Sequence, residues 1–399
     1  MRAGGRERAI TNLPATAQIV IVGAGIAGLS LALELPRRGV HGIVVIDQGY
    51  PGSGATGRNI GRIRAMQLTE PLCEVARACA AKYERMSDEL GFNILLHRLG
   101  YAWVLYEDDE LRRMRDVVAM HHRIGIRSEL LGARAVVELL PVFRGGEPIT
   151  AAVVHDDAIV HHAAVVSACL AALATTSVTL VAHTAVIGIT RAADAVRGVI
   201  TSRGKIEAST VVNAAGGWSN HLNRLAGVSA PNRPLRREVL VSAPMEPFIA
   251  RAVTFYRPME GWFNQTLRGE VVMGVVDPKE PEGHQQCSSW DFLQRTATLM
   301  TRKAPALGRL SVIRQWAGMY DVTPDQLPLV GPTDQLGGWW QANGWSGRGM
   351  LLAPHLMERM AERWVGRPAA LEMFDPDRFA AGSPADGPPI DYYARYSSQ

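Results

Sequence analysis

The stretch from Gln18 to Gly28, Gln-Ile-Val-Ile-Val-Gly-Ala-Gly-Ile-Ala-Gly, constrains this chain more than any other. Ile19 to Val22 is an apolar, β-branched run and reads as a buried parallel strand. Gly23, Gly25 and Gly28 make a G-x-G-x-x-G turn into the helical pattern Leu29-Ser-Leu-Ala-Leu-Glu-Leu. The three glycines serve a tight turn, close approach of backbone to a pyrophosphate, and tight packing of helix on strand. The helix N-terminus then offers N–H groups and a positive dipole end to that phosphate. A glycine turn alone is weak, because such turns are common in loops. Here a second strand, Gly42 to Ile46, follows and ends at Asp47, where an acidic side chain can hold the ribose of a dinucleotide. The spacing predicts an α/β dinucleotide-binding unit.

With 399 residues there is enough chain for that unit and a second part. A net charge of +4, with Arg and Asp/Glu interspersed, excludes the basic tract of a nucleic-acid binder. Cys73, Cys79, Cys169 and Cys287 are scattered without a C-x-x-C pair, so no zinc site or iron–sulfur cluster is encoded, and no metal ligand is expected. Scattered cysteines suit reduced core residues and a cytoplasmic location. Met1 to Ala15 carries Arg2, Arg6 and Arg8 without an apolar segment and does not read as a secretory signal. The longest apolar stretch, Ala163 to Thr190, is broken by Ser167, Thr175, Thr176, Ser177 and His183, so no membrane span is expected.

Beyond Asp47, the glycine-rich segment from Gln48 to Arg64 is too irregular for helix or strand. It reads as a loop that wraps a ligand, with Arg58, Arg62 and Arg64 supplying positive charge. Helical periodicity covers 70–90, 108–123, 288–304 and the segment from Gly347 to Val365, and a helix opens at His161-His162. Residues 235–275 alternate apolar and polar around the turn Arg257-Pro-Met-Glu-Gly261, the signature of an antiparallel sheet. The expected fold is therefore α/β, α+β overall: a Rossmann-like dinucleotide-binding domain from 15–95, 150–225 and 325–380, and an inserted antiparallel-sheet substrate domain from 96–149 and 226–324. Residues 381–399 form a tail without periodicity.

Four motifs carry a family resemblance: Ile19–Gly28, Gly54-Ala-Thr-Gly-Arg-Asn59, Val211-Val-Asn-Ala-Ala-Gly216, and Trp316 to Pro328 followed by Gly344-Trp-Ser-Gly-Arg-Gly349. Over about positions 17 to 378 the chain resembles the D-amino-acid-oxidase-like flavoproteins. More narrowly, it is similar to the β-subunits of hetero-oligomeric sarcosine oxidases and of proline, hydroxyproline and opine dehydrogenases. The resemblance implies FAD. Gly23, Gly25 and Gly28 would hold the pyrophosphate, Asp47 the ribose, and the backbone at Val186 would meet the adenine. Thr56, Gly57 and Arg58 would line the path to the flavin, with Ala214, Ala215 and Gly216 beside it. Gly344, Gly347, Gly349 and Met350 would approach the isoalloxazine, at the N-terminus of the last helix.

Two departures matter. Gly318, before Met319-Tyr320, stands where monomeric sarcosine oxidases carry the cysteine that anchors FAD, so non-covalent FAD is expected. Gly347-Arg-Gly-Met-Leu351 lacks the lysine that binds substrate carboxylate in sarcosine oxidases, and the Pro-Asp-x-x-Pro segment leans towards the proline and opine dehydrogenases. Arg64 matches the arginine that holds the carboxylate; its planar fork can pair both oxygens. On the residues alone a phosphate-steering or surface arginine is an equal alternative. Among Tyr256, Trp262, Tyr320 and Trp345, which ordinarily would be core, Tyr256 is kept as a candidate pocket residue.

On spacing alone, a histidine at a helix start is a cap or surface residue. The run Val160-His-His-Ala-Ala-Val-Val-Ser nevertheless resembles the segment whose histidine bonds FMN in sarcosine oxidase β-subunits, and His162 takes that position. The resemblance thus implies FMN at a subunit interface, covalent or not, with a larger α-subunit as partner and a small iron–sulfur subunit as a further one. The implied activity is oxidation of the C–N bond of a secondary-amine amino acid of the proline, hydroxyproline or opine type. Sarcosine oxidase is the alternative within the class, and a non-catalytic FAD-binding scaffold subunit the alternative outside it.

Overall fold

A computed structural model describes residues 13–380. The N-terminal arginines and the proline-rich tail from Ala381 lie outside the described residues. Two eight-stranded sheets organise the chain. In the first, strands run in the order Leu329–Pro332, Trp339–Asn343, Gly204–Asn213, Thr16–Val22, Ile43–Ile46 and Thr179–Val181. All neighbours along this path are parallel except the first pair. The hairpin Val186–Ala192 and Ala195–Thr201 continues from Gly204–Asn213.

The opening strand is apolar throughout because both of its faces are covered. Ile19 and Ile21, with Ile43 and Val45, pack under the helices Ile26–Glu34, His162–Leu173 and Gly349–Trp364. Val20 and Val22, with Val44 and Ile46, face the opposite way, onto Leu222, Ala226 and Trp339. An unbroken β-branched run is what a parallel strand buried on two sides requires.

The second sheet runs Val312–Val322, Arg233–Ser242, Val271–Val275, Gly261–Gln265, Ala252–Phe255, Tyr101–Leu105, Ala151–His155 and Glu129–Gly132. It is antiparallel except where Ala252–Phe255 lies parallel to Tyr101–Leu105. Val253, Phe255 and Phe263 cover the helix Trp290–Lys303 through Phe292 and Met300. The mixed α/β architecture is the anticipated one.

Two details depart from the sequence reading. Ala151–His155, counted with the cofactor segment that starts at 150, pairs with Tyr101–Leu105 in the second sheet, so the chain re-enters the first sheet only after it. Apolar alternation reports burial but not which sheet a strand joins. The glycine-rich loop also carries a two-residue strand, Arg62–Ile63, paired with Ala158–Ile159. That pairing puts Arg62 and Arg64 between the two sheets.

The helices behind the first sheet are tied by ions. Glu34, 4% exposed, accepts from Lys82 at 2.6 Å and from Arg38 at 2.6 Å. Lys82 also reaches Glu358 at 3.0 Å, and Arg38 pairs with Glu362. The network joins the glycine-turn helix, the helix Glu70–Leu90 and the last helix, so each buried charge has a partner of opposite sign. Among the described residues no helix is long and apolar enough to cross a membrane.

Candidate functional site

A cavity of about 580 Å³ runs between the two sheets. Its first end is the turn after the opening strand. Gly23 has φ of +115°, and a Cβ there would lie 2.3 Å from the Ala214 carbonyl oxygen, so only glycine lets the two parallel strands close side by side. Gly28 sits behind the turn, away from the cavity, where a Cβ would fall 1.9 Å from the Gly23 carbonyl oxygen. It serves packing.

Asp47 Oδ2 accepts the Ala24 N–H at 2.7 Å, and Oδ1 accepts that of Gly49 at 2.8 Å. Burial raises its carboxyl above the usual range, while those two backbone N–H groups pull it back. The helix Ile26–Glu34 begins at Gly25, which contributes no side-chain cap; instead Thr56 Oγ1 accepts the Ile26 N–H at 2.9 Å. Gly216, at φ of +53°, has no protein atom within 4 Å of a Cβ position and leaves room in the cavity wall. Bare backbone, a helix start and a carboxylate at the second strand's end form a cradle that fits the phosphates and ribose of a dinucleotide.

Of the residues singled out from sequence, Gly23, Gly25, Asp47, Thr56, Arg58, Val186, Ala214, Ala215, Gly216, Gly347, Gly349, Met350, Arg64 and Tyr256 line this one cavity. Trp262, Tyr320 and Trp345 line it too. Four others do not. Gly28 packs as described, and Gly57 is pressed on the Gly52 carbonyl, 2.5 Å from a Cβ position. Gly344, at φ of +71°, donates its N–H to Asp321 Oδ2 at 2.6 Å and so anchors the loop whose later residues reach the cavity. His162 lies elsewhere, half-buried at the start of its helix and stacked on His161 with ring centroids 5.3 Å apart. His161 itself is a cap, its Nδ1 accepting the Ala164 N–H. Burial, then the neighbouring His161 and Arg268, lower His162 to about 4, so its imidazole is neutral at neutral pH.

Asp321 holds three loops together at the cavity wall. It accepts from the Ser219 hydroxyl at 2.8 Å, the Asn232 amide at 2.6 Å and the Gly344 N–H. Burial pushes it up to about 6 despite these donors. Gly318 faces Arg58, whose Cβ would stand 3.2 Å from a side chain at that position.

The opposite end is rich in guanidinium groups. Arg62 is committed to the protein: it donates to Thr254 Oγ1 at 2.6 Å and to the carbonyls of Val253 and Phe263. Arg64 donates to the Tyr101 hydroxyl at 3.0 Å. Tyr256, 4% exposed, packs tilted against Trp103 with ring centroids 4.8 Å apart. Arg237, Glu260 and Arg348 also line this end and were not anticipated as site residues. Arg237 lies on a strand where Glu238 and Val239 line the cavity too, so strand alternation does not single it out. Glu260 carries no signal either, because a Met-Glu-Gly turn reads as solvent-facing.

The family model described as FAD dependent oxidoreductase matches residues 18–363. The sarcosine oxidase subunit beta of Rhodobacter capsulatus is 27% identical over 86% of this chain and 84% of its own. Among solved structures, the L-proline dehydrogenase from P. horikoshii superposes with a TM-score of 0.86 at 28% identity, over 93% of this chain and all of that one. Glycine oxidase from Geobacillus kaustophilus shares the fold, with a TM-score of 0.83 at 21% identity over 92% of this chain and 99% of its own.

Proposed function

Because the chain belongs to the FAD dependent oxidoreductase family and is similar to a sarcosine oxidase subunit beta and an L-proline dehydrogenase, we propose that it oxidises a secondary-amine amino acid of the proline, hydroxyproline or opine type. The observation that carries this reading is one cavity with the dinucleotide cradle of Gly23, Gly25 and Asp47 at one end and Arg64 at the other. Bound FAD supplies the acceptor for a hydride from the carbon beside the amine nitrogen, leaving a C=N bond on the substrate. The chain's own residues dock and orient. Arg64, steadied by the Tyr101 hydroxyl, takes a carboxylate. Tyr256 and Trp262 wall the site against water.

FAD is held without a covalent link: Gly318 offers no thiol and is backed by the Arg58 stem. FMN would be held at His162, whose neutral, half-exposed imidazole suits a surface closed by a larger α-subunit, and would supply an outlet for electrons there. A small iron–sulfur subunit would complete the path. A cytoplasmic setting is supported by three buried free thiols, Cys73, Cys79 and Cys169. The similarity to sarcosine oxidase subunit beta favours sarcosine as the second substrate reading, weakened by Leu351 at the lysine position.

The test is anaerobic bleaching of the flavin spectrum by proline, hydroxyproline, sarcosine and opines, with the chain co-expressed with its neighbouring genes. Bleaching by proline or an opine supports the dehydrogenase reading, and bleaching by sarcosine alone replaces it. Silence across the panel from an FAD-loaded protein favours the scaffold.

A further inference from the structure

Between the strand Arg62–Ile63 and the helix Glu70–Leu90 the chain runs without regular structure, and Ala65, Met66 and Gln67 are all buried there. Buried backbone outside a helix or sheet must find hydrogen-bond partners among side chains. The ladder between Arg62–Ile63 and Ala158–Ile159 ends at the pair Ile63 and Ala158. One residue on, the Asp157 carboxylate takes over: its Oδ1 accepts the Ala65 N–H at 2.8 Å. The carbonyl of the same peptide unit, that of Arg64, accepts from Gln67 Nε2 at 3.1 Å. Both polar groups of the Arg64–Ala65 peptide are therefore held by buried side chains.

Each of these holders is itself fixed. His155 donates its Nδ1–H to the same Asp157 Oδ1 at 2.8 Å, and the Gly100 N–H meets the Asp157 carbonyl at 2.7 Å. Burial alone would lower His155, but its hydrogen bond to Asp157 and the charge of that carboxylate raise it above its ordinary value, so the two act as a pair. Gln67 is held from the helix Asp108–Arg123: its carbonyl accepts the Nε2–H of His121 at 2.6 Å, and His121 Nδ1 accepts the Ser128 hydroxyl at 2.8 Å. Tyr101, the cross-strand partner of His155, carries the hydroxyl that meets the Arg64 guanidinium. Buried polar groups are costly unless matched, and a matched network of them fixes one backbone conformation. Of residues 64–67, Arg64 lines the cavity and the other three do not, so in the site this network fixes the root of that one side chain.

We infer that Asp157 and Gln67 are positioning residues for carboxylate recognition: they clamp the Arg64–Ala65 peptide from both sides and so set where the Arg64 guanidinium meets a substrate carboxylate. This rests on the reading of Arg64 as the carboxylate partner and adds to it. Neither residue lines the cavity, so each acts through Arg64. A long side chain magnifies any rotation of the peptide that carries it, and a two-bond pair with a carboxylate tolerates little misalignment. With Asp157 or Gln67 replaced by an apolar group of similar size, one polar group of this peptide loses its partner, and the backbone turns towards another and takes the guanidinium with it.

The experiment titrates the FAD-loaded full chain with tetrahydrofuran-2-carboxylate, which presents a carboxylate without an oxidisable amine, and reads the flavin spectrum; bleaching by proline is followed beside it. Gln67→Met and Asp157→Leu are each expected to raise the Kd of the carboxylate and the KM of proline about tenfold, with kcat and FAD affinity changed less than about threefold. Asp157→Asn, whose amide oxygen still accepts the Ala65 N–H, should restore most of what Asp157→Leu loses. In an Arg64→Ala background both variants should add less than about twofold, because the residue they act through is gone. Melting temperature reports folding, and if Asp157→Leu does not fold, Gln67→Met, which leaves the Asp157–His155 pair intact, decides the matter. An unchanged Kd in the variants, losses that add fully to that of Arg64→Ala, or FAD affinity falling as far as carboxylate affinity overturns the inference and leaves Arg64 in its role. Carboxylate binding that is absent from the parent, or indifferent to Arg64→Ala, overturns the Arg64 reading and this inference with it. No bleaching by any amine, from a protein whose carboxylate binding follows the expected pattern, overturns amine oxidation and supports the clamp.

Discussion

Arg64 donates to the Tyr101 hydroxyl at 3.0 Å while its guanidinium lies 5.4 Å from the centre of the same ring. The hydroxyl and the ring face together hold the fork in one plane, so little side-chain entropy remains to be lost when a carboxylate arrives. Arg64→Ala is expected to raise KM for carboxylated substrates roughly 100-fold, in line with about 2–3 kcal/mol for a charge-assisted pair. FAD affinity should change less than threefold or so, because Arg64 stands at the far end of the cavity from Asp47. Tyr101→Phe should give a milder rise of roughly three- to tenfold. Steady-state kinetics beside FAD titration separates the two effects; equal loss of both would reassign Arg64 to the cofactor.

Two glycines should fail in different ways. Gly28→Ala drives a methyl group into the Gly23 carbonyl, a backbone atom that cannot move aside. The expected outcome is a loss of about 3 kcal/mol or more, seen as a lower melting temperature even without FAD. Gly216→Ala meets open space and pays only for its positive φ, about 1 kcal/mol, but it fills the cavity wall. Its cost should appear chiefly in FAD affinity.

The ion network behind the first sheet gives a stability prediction. Lys82→Met leaves Glu34 and Glu358 short of a cation, with Glu34 4% exposed. Glu34 keeps Arg38 at 2.6 Å, so a loss of about 1–2 kcal/mol is expected by denaturant unfolding, less than for a buried charge left with no partner. Lys82→Met combined with Glu34→Gln should recover part of it.

Two carboxyls have opposite pH signatures. Glu358 is lowered to about 2, first by its hydrogen bond with His355 and then by Lys82. Its folded value lies below the unfolded one, so its contribution is present above about 4.5 and is lost as pH falls towards 2. Asp321, pushed up to about 6 by burial, runs the other way: its contribution is full below about 3.8 and is lost as pH rises through 6. Melting curves from pH 4 to 7 should therefore show Asp321→Asn, whose amide mimics the protonated acid, running close to the parent at the acid end and gaining on it as pH rises through 6. A constant offset between the two curves would contradict the assignment.

At His162 the expectation concerns cofactor content. His162→Ala should abolish FMN retention in a complex with the partner subunits and leave FAD at full occupancy, as read by extraction and chromatography of the flavins. FMN retained in the variant would return His162 to the ordinary surface role that its helix-start position suggests.

The cradle was legible because its residues are contiguous or follow a fixed order: strand, three glycines, helix, strand, acid. One local signal, the unbroken β-branched run 19–22, already implied burial on two faces. The helices 70–90 and 108–123 were equally plain from their periodicity. The substrate end was harder, because its wall is assembled from four separated segments, and neither Glu260 nor Arg348 stands in a pattern that distinguishes a cavity wall from solvent. Likewise Ala151–His155 carries no mark of which sheet it joins; that is decided by the backbone partner at Tyr101–Leu105. Gly28, Gly57 and Gly344 stand in the same motifs as cavity-lining neighbours, yet each serves the backbone geometry that lets those neighbours line the cavity.

The order of strands in the first sheet has a consequence for synthesis. Thr16–Val22 leaves the ribosome well before its neighbour Gly204–Asn213, and Trp339–Asn343 emerges later still. Until then a hydrophobic strand has one open edge and must be shielded in a nascent chain that is also building the second sheet. Premature termination anywhere between these strands would release a chain with an exposed edge. Quality control of this protein therefore falls on a chain complete through Asn343 rather than on a domain finished early.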